Sequence, residues 1–406
     1  MGAMVLPKIK ANGLRPVVEP DEIDIYLPRG IKALDKAGAN PRGLFRIFQR
    51  FPDARLFGVE EYLYALASVV GEEAAKQTIV YAAPEGYSLS RHETALTLEG
   101  PARSLMVNET LLHYLSTGTR FRTLAARYPG ETYPWIFMGA RYLAKEDLAI
   151  ATRALSEEGI LSTIPRWADK YAGTESHAQI DMWCGLKLND DIEKVITSET
   201  DNPFVAGTIR ATVAFHLANP EVPLFVLGDF VARTIGCFET FRATRAVCDK
   251  LDIELVGGRM DVSKADLNDV PLMDVDAYGD ETLKGMKPVV VARVRQKLDE
   301  AGYPDFQIVV SSGIRLDTIG VYVDAGASMV GIGEEAAYFL NKGECNFTSD
   351  ASGYFVDGKL VPCSKEGREL ARIMSEDALA NAESGIKIAE HLERICLADY
   401  LPEGDK

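Results

Sequence analysis

Several signatures that would settle a function quickly are missing from this sequence. The six cysteines, Cys184, Cys237, Cys248, Cys345, Cys363 and Cys396, include no Cys-x-x-Cys pair. Such spacing argues against a disulfide framework and against a compact zinc site. There is no Walker A loop, no GxGxxG turn and no GxSxG elbow, so nucleotide or hydrolase chemistry by those routes is unsupported. No run of about 18 apolar residues occurs, and no membrane span is expected. The opening MGAMVLPKIKANGL lacks the apolar core and cleavage site of a secretory signal, so a cytoplasmic location is expected. Basic residues are in deficit: 44 Lys and Arg against 60 Asp and Glu leave a formal charge of −16. That balance disfavours a polyanion-binding surface, and nucleic acid is not an expected partner. A small phosphorylated ligand stays open, because it needs only a local cluster of donors.

What is present fits a large α/β protein. At 406 residues with 47% hydrophobic content, the chain exceeds one small core. A short helical pattern through Ile31, Leu34 and Ala37 stops at Gly38, and Leu63, Leu66 and Val70 mark a helix from Val59 to Val70. Thr94 to Gly100 alternates, with Leu96 and Leu98 on one face, and reads as a half-buried antiparallel strand. Gly100-Pro101 marks the first domain boundary. Long helical patterns follow from Ser104 to Leu124 and from Leu143 to Glu158, the second stopped by Gly159.

Beyond them the rhythm changes to apolar runs at Leu224, Ile253, Phe306 and Ser328. Helical stretches at Phe238–Leu251, Val289–Ala301 and Arg315–Ala325 alternate with these runs. That order is the mark of a parallel sheet or barrel. Near the end, Tyr354 to Val361 reads as a hairpin turning at Asp357-Gly358, and a helix is expected from about Ser375 to Leu397. The expected organisation is a mixed α/β domain over residues 1–102, an α/β barrel over 103–335, and a segment over 336–406 that returns to the first domain.

In parallel α/β architectures the loops after the strands form the site, because helix N-termini and free backbone amides converge there. Those loops hold Asp229, then Arg259 and Asp261, then Ser311-Ser312-Gly313, then Gly331-Ile332-Gly333. Adjacent glycines let the backbone approach an anion, so the last two loops read either as a phosphate cup or as plain tight turns. Arg259 and Asp261 alternate about Met260 and can face one way. They suit a sugar phosphate or Mg²⁺, and equally a structural ion pair. Of the five histidines, His177 in Gly-Thr-Glu-Ser-His-Ala draws the most attention, although no second histidine stands near it to make a metal site. Arg120, Arg122, Arg127 and Arg141 could bind a carboxylate or diphosphate, or simply face water.

Several segments, taken in order, resemble the nicotinate phosphoribosyltransferases of the type II phosphoribosyltransferase group. They are Asp24-Ile-Tyr26, Tyr81-Ala-Ala-Pro-Glu-Gly86, Leu98-Glu-Gly-Pro101, Glu109-Thr-Leu-Leu112, Thr123-Leu-Ala-Ala-Arg127 and Phe137-Met-Gly-Ala-Arg141. Gly173-Thr174-x-x-His177, Asp229, Gly258-Arg-Met-Asp261, Ser312-Gly313 and Gly331-Ile-Gly333 complete the series. The resemblance implies an irregular, incomplete α/β barrel plus a mixed α/β domain formed by both chain ends, assembled as a homodimer or higher homo-oligomer. It implies transfer of phosphoribosyl from 5-phosphoribosyl 1-diphosphate to nicotinate with Mg²⁺, and ATP as co-substrate through a phosphohistidine at His177.

In the same reading Tyr26 stacks on the ring from a partner subunit, Arg141 meets the nicotinate carboxylate and Arg127 meets diphosphate or base. Arg259 and Asp261 hold the ribosyl moiety, with Thr174 and Asp229 beside it, while Ser312, Gly313, Gly331 and Gly333 take its phosphate. The chain departs from the family at Tyr142, where a second arginine is usual, at Val262 in place of threonine, and at Ser311-Ser312-Gly313 in place of a Ser-Gly-Gly loop. These departures leave another aromatic base, or a silent phosphate-binding scaffold, as alternatives.

Overall fold

The computed structural model describes residues 23–163, 173–174, 177–273, 279, 283–338, 345–362 and 391–401. The chain forms two units. One holds the described residues of Met1–Arg127, Ala144–Ala154 and Leu340–Lys406; the other holds those of Tyr128–Leu143 and Leu155–Phe339.

The first unit begins with α1 (Tyr26–Ala37), closed as expected by Gly38 in the left-handed conformation, whose N–H satisfies the carbonyls of Asp35 and Leu34. An antiparallel sheet follows, in the order β14-β13-β1-β5-β3-β15. Its strands are β1 (Arg42–Gln49), β3 (Ile79–Ala82), β5 (Thr94–Pro101), β13 (Phe347–Val356), β14 (Lys359–Pro362) and β15 (Glu393–Cys396). A small ribbon joins β2 (Ala54–Arg55) to β4 (Ser88–Leu89). The helix α2 (Val59–Gln77) breaks its helical geometry at Gly71, next to the expected end at Val70. It packs with α4 (Leu112–Arg127) over a core that includes Ile47, Tyr62, Leu66, Leu96, Leu98 and Leu115.

Some expectations need correction here. β5 is buried along both faces rather than half-buried, since Ala95 and Thr97 on one face are as enclosed as Leu96 and Leu98 on the other. Gly100-Pro101 ends that strand inside the first unit, Pro101 lying opposite Arg42. The helix expected over 104–124 is broken into α3 (Ala102–Leu105), a 3-10 turn (Met106–Glu109) and α4. Buried Asn108 explains the break: its side-chain amide donates to the Leu105 carbonyl at 2.6 Å, competing with the helical ladder. At the C-terminal end, 393–396 pair with β3 as a strand instead of closing a helix; residues 375–390 of that expected helix lie outside the described residues. The hairpin at Asp357-Gly358 forms as read, both residues having positive φ, as a two-residue hairpin turn requires.

The second unit is a parallel sheet in the order β7-β6-β12-β11-β10-β9-β8. Its strands are β6 (Trp135–Phe137), β7 (Leu161–Ser162), β8 (Gly173–Thr174), β9 (Leu224–Leu227), β10 (Leu255–Met260), β11 (Gln307–Val310) and β12 (Met329–Ile332). Ile136, Phe225 and Val309 share one buried cluster with Met138, Leu161, Val256 and Met329. That cluster runs across the face of neighbouring strands, and the sheet curls into an incomplete barrel. The remaining helices include α5 (Lys145–Ser156), which spans the division between the units, α6 (His177–Gly185), α7 (Asp190–Glu199), α8 (Pro203–Ala218) and α9 (Cys237–Lys250). α7, α8 and α9 bury Ile196, Ile209, Val213 and Val247 together.

The low apolarity of β10 has a packing cause. A Cβ at Gly258, or at Gly228 beside it, would collide with the Phe241 ring of α9, so glycine lets that helix press against the sheet. Among the described residues no helix is long and apolar enough to cross a membrane.

Candidate active site

Because the strands of the curled sheet are parallel, their C-terminal ends share one edge. That edge carries Asp229 after β9, Asp261 after β10, Ser311 to Gly313 after β11, Gly333 after β12, and Met138 to Arg141 after β6. Thr174 closes β8, opposite Phe225, and His177 opens α6 just beyond it; the side chains of Thr174 and His177 lie outside the described set. Tyr26 and Arg127 belong to the first unit.

Arg259 and Asp261 do turn to one side. The guanidinium Nη2 stands 3.4 Å from Asp261 Oδ2, with the two side chains 17% and 25% exposed. Buried Ser311 donates its hydroxyl to Asp261 Oδ1 at 2.7 Å, while its N–H donates to the Met260 carbonyl at 2.9 Å. The carboxylate is thus fixed from two sides, and Arg259 Nε is buried without a hydrogen-bond partner among the described residues. Ser311, rather than Ser312, makes the contact with Asp261, because just past β11 it still follows the strand and its side chain falls on the same face as that carboxylate. Ser312 and Gly313 instead adopt positive φ values of 80° and 69°. For serine that geometry is uncommon and is characteristic of constrained turns at sites.

The Gly331–Gly333 stretch does not leave an open cradle. A Cβ on Gly331 would lie 2.6 Å from the Met138 methyl, and one on Gly333 would lie 2.8 Å from the Met138 carbonyl and 2.9 Å from the Tyr142 ring. The helix that follows, Glu334–Tyr338, is short and opens with two glutamates, whose charge opposes an anion there. Arg141 is exposed in the turn after β6. In the first unit, Tyr26 donates its hydroxyl to Glu109 at 3.0 Å; partial burial, then the Glu109 charge, push its pKa up to about 12.

Two residues that sequence reading passed over stand near this edge. Lys264 lies across Gly313, where a Cβ would strike its stem. Asp269 is fully buried at the N-terminus of α9, accepting from the Phe238 N–H at 3.2 Å, with Oδ2 unpartnered among the described residues. Burial raises its pKa to about 6. Burial, with Asp269 and Asp229 nearby, also holds the Cys237 thiol well above its usual value, so it is no nucleophile at neutral pH. The sequence offered one cue for Lys264, a basic residue three places after Asp261; for Asp269 it offered none.

No family model and no curated protein matches the chain. Solved structures do. Nicotinate-nucleotide pyrophosphorylase from Pyrococcus furiosus aligns over 86% of this chain and 80% of its own, with 21% identity and a TM-score of 0.57. Human nicotinic acid phosphoribosyltransferase aligns over 83% of this chain and 75% of its own, with 19% identity and a TM-score of 0.59. The curled parallel sheet and the separate antiparallel sheet are therefore those of the type II phosphoribosyltransferase fold, and this chain is built on it.

Proposed function

We propose that the protein is a phosphoribosyltransferase that joins nicotinate to 5-phosphoribosyl 1-diphosphate, giving nicotinate mononucleotide and diphosphate. The observation that carries this reading is the Arg259–Asp261–Ser311 constellation at the C-terminal edge of adjacent parallel strands in this fold. The pyridine nitrogen attacks the anomeric carbon as the bond from that carbon to the diphosphate oxygen breaks. No proton needs removal, so the site's work is orientation and charge stabilisation rather than base catalysis. Arg259 places positive charge against the phosphorylated sugar, and Asp261 accepts from a ribose hydroxyl.

Among the described residues no group of three or more His, Cys, Asp or Glu side chains could hold a metal ion by itself. Mg²⁺ carried with a diphosphate needs only one or two protein carboxylates, and the partly exposed Asp261 suits that role. Bound there, the ion would supply positive charge against the leaving diphosphate. In the same reading Thr174 and Asp229 lie beside the sugar, Arg141 meets the nicotinate carboxylate, Arg127 meets diphosphate or base, and Tyr26 of a second copy covers the ring. ATP phosphorylates His177 and hydrolysis of the phosphohistidine drives the cycle. The chain works in the cytoplasm as a homodimer or higher homo-oligomer on small-molecule substrates.

The test is diphosphate release by the full chain with Mg²⁺ and 5-phosphoribosyl 1-diphosphate. Nicotinate, nicotinamide and quinolinate are compared, each with and without ATP. Release with nicotinate, increased by ATP, is expected. Turnover with a different base and none with nicotinate would replace the acceptor; binding of the donor without any turnover would leave a silent phosphate-binding scaffold.

A further inference from the structure

The loop after β9 carries Asp229 and runs to the start of α9 at Cys237. It opens with a 3-10 turn over Asp229–Val231, after which the Val231 carbonyl accepts from the N–H groups of Thr234 at 3.2 Å, Ile235 at 3.0 Å and Gly236 at 3.1 Å. Those bonds give the loop a shape without fastening it to anything else. At its β9 end the Gly228 N–H donates to the Arg259 carbonyl at 2.9 Å. At its far end the anchor is a residue of the segment after β10. Asp269 holds the loop twice: its N–H donates to the Ala232 carbonyl at 3.0 Å, and its Oδ1 accepts from the Phe238 N–H at 3.2 Å.

The seat of that carboxyl group is closely fitted. Gly236 stands at φ 94°, and a Cβ there would lie 2.6 Å from Asp269 Oδ1. Asp269 takes left-handed backbone, φ 45° and ψ 39°. The Leu272 N–H, donating to the Asp269 carbonyl at 2.9 Å, and the Asn268 N–H, donating to Leu283 at 3.2 Å, hold it so. Asn268 and Asp269 are both fully buried, and Asp269 Oδ2 has no partner among the described residues. Left-handed backbone and burial of an ionisable group both oppose folding, whereas an exposed Ser, Thr or Asn caps a helix with neither cost. Capping α9 alone therefore does not account for Asp269. Asp229 is close by: burial first, then the charges of Asp269 and Asp229, raise the pKa of the Cys237 thiol, so both carboxyl groups stand around one side chain.

We propose that Asp269 is the positioning residue of the Asp229 loop, fixing Ala232 and Phe238 so that Asp229 meets its ligand at the strand edge in one geometry. The proposal rests on the phosphoribosyl reading, in which Asp229 lies beside the sugar, and adds to that reading a buried residue that touches no substrate. Without the tether, Asp229 must be ordered when the sugar binds, and the ordering is taken from the binding free energy.

Calorimetric titration of the full chain with 5-phosphoribosyl 1-diphosphate and Mg²⁺ tests it in the wild type, Asp229→Ala, Asp269→Ala and the double variant. Each single variant should weaken donor binding about tenfold, and the double variant should bind no more weakly than Asp229→Ala, because Asp269 acts only through Asp229. Asp269→Asn keeps Oδ1 as an acceptor and should bind the donor as the wild type does. A role in stability alone lowers the melting temperature and leaves donor affinity of the folded protein untouched. Should Asp269→Ala not fold, Gly236→Ala, whose Cβ displaces the same carboxyl group, replaces it in the cycle. Wild-type affinity in Asp269→Ala, losses that multiply to about a hundredfold in the double variant, or an Asp269→Asn as weak as Asp269→Ala each overturn the positioning role and leave the phosphoribosyl reading intact. Wild-type affinity in Asp229→Ala removes Asp229 from the sugar and overturns the proposal with it. Failure of the wild type to bind the donor overturns both.

Discussion

Replacing Arg153 with methionine should destabilise the first unit, and the deficit should grow with pH. Arg153 forks onto Glu61, Nη2 to Oε2 at 2.6 Å and Nε to Oε1 at 2.8 Å, and reaches Glu85 Oε2 from Nη1 at 3.0 Å. The three side chains are 13%, 2% and 15% exposed, and the guanidinium lies 4.0 Å over the Phe57 ring. Glu85 in turn accepts from the N–H groups of Gly58, Val59 and Glu60, capping α2. Methionine keeps much of the buried stem, so the loss reports charge more than volume. Removing one partner of a buried pair costs about 3–5 kcal/mol, because the other charge is left uncompensated.

The direction with pH follows from Glu85. Burial raises its pKa most, Glu61 adds to the rise, and Arg153 pulls it back. Folding therefore favours its protonated form: that contribution is full below the ordinary carboxyl value and is lost as pH climbs through the raised one. Without Arg153 the raised value climbs further, so the variant's deficit should be larger at about pH 8 than at about pH 5. Urea unfolding of wild type and variant at both pH values measures it. A deficit below about 1 kcal/mol at the higher pH, the scale of a surface pair, or one that grows on acidification, would refute the reasoning.

Asp269→Asn should flatten part of the pH dependence of stability. Burial raises the Asp269 pKa to about 6 from an ordinary 3.8, so wild type should lose about 2 kcal/mol relative to the variant as pH rises from about 4 to about 7. Parallel wild-type and variant curves in chemical denaturation would contradict this. Arg259→Ala should weaken binding of 5-phosphoribosyl 1-diphosphate about tenfold or more by loss of a charge-assisted contact; unchanged affinity in calorimetry removes Arg259 from the donor site. His177→Ala should abolish stimulation by ATP while donor binding is kept, and ATP-stimulated turnover at the wild-type ratio would exclude the phosphohistidine.

Of the parallel sheet, β9 to β12 were legible because each is a short apolar run closed by a polar or glycine residue, and they lie where those runs were read; β6, β7 and β8 are two or three residues long, too short to show a pattern. Legibility failed where a tertiary partner overrode the local pattern. The stretch over 104–124 has continuous helical periodicity, yet one buried amide, Asn108, captures the Leu105 carbonyl and splits it. The alternation of Thr94 to Gly100 predicts one wet face. It cannot reveal that the second face, bearing Ala95 and Thr97, is enclosed as fully as the first. The pairing of Arg259 with Asp261 was readable from a period of two, since both residues sit on one strand end.

The glycines mark where sequence reading stops, because the residue type is the same while its cause differs. Gly228 and Gly258 are small so that Phe241 can press on the sheet, and Gly331 and Gly333 are small so that Met138 and Tyr142 can. Gly313 alone among these five combines positive φ with a charged side chain laid across it. In one dimension Gly-Ile-Gly looks the better phosphate loop, having two glycines before a helix. In three dimensions its space is taken by apolar and aromatic neighbours and its helix opens on two glutamates. The positive charge at this edge of an acidic protein comes from residues far apart in the chain, Arg259 at the end of β10 and the exposed Arg141 after β6, rather than from any basic run.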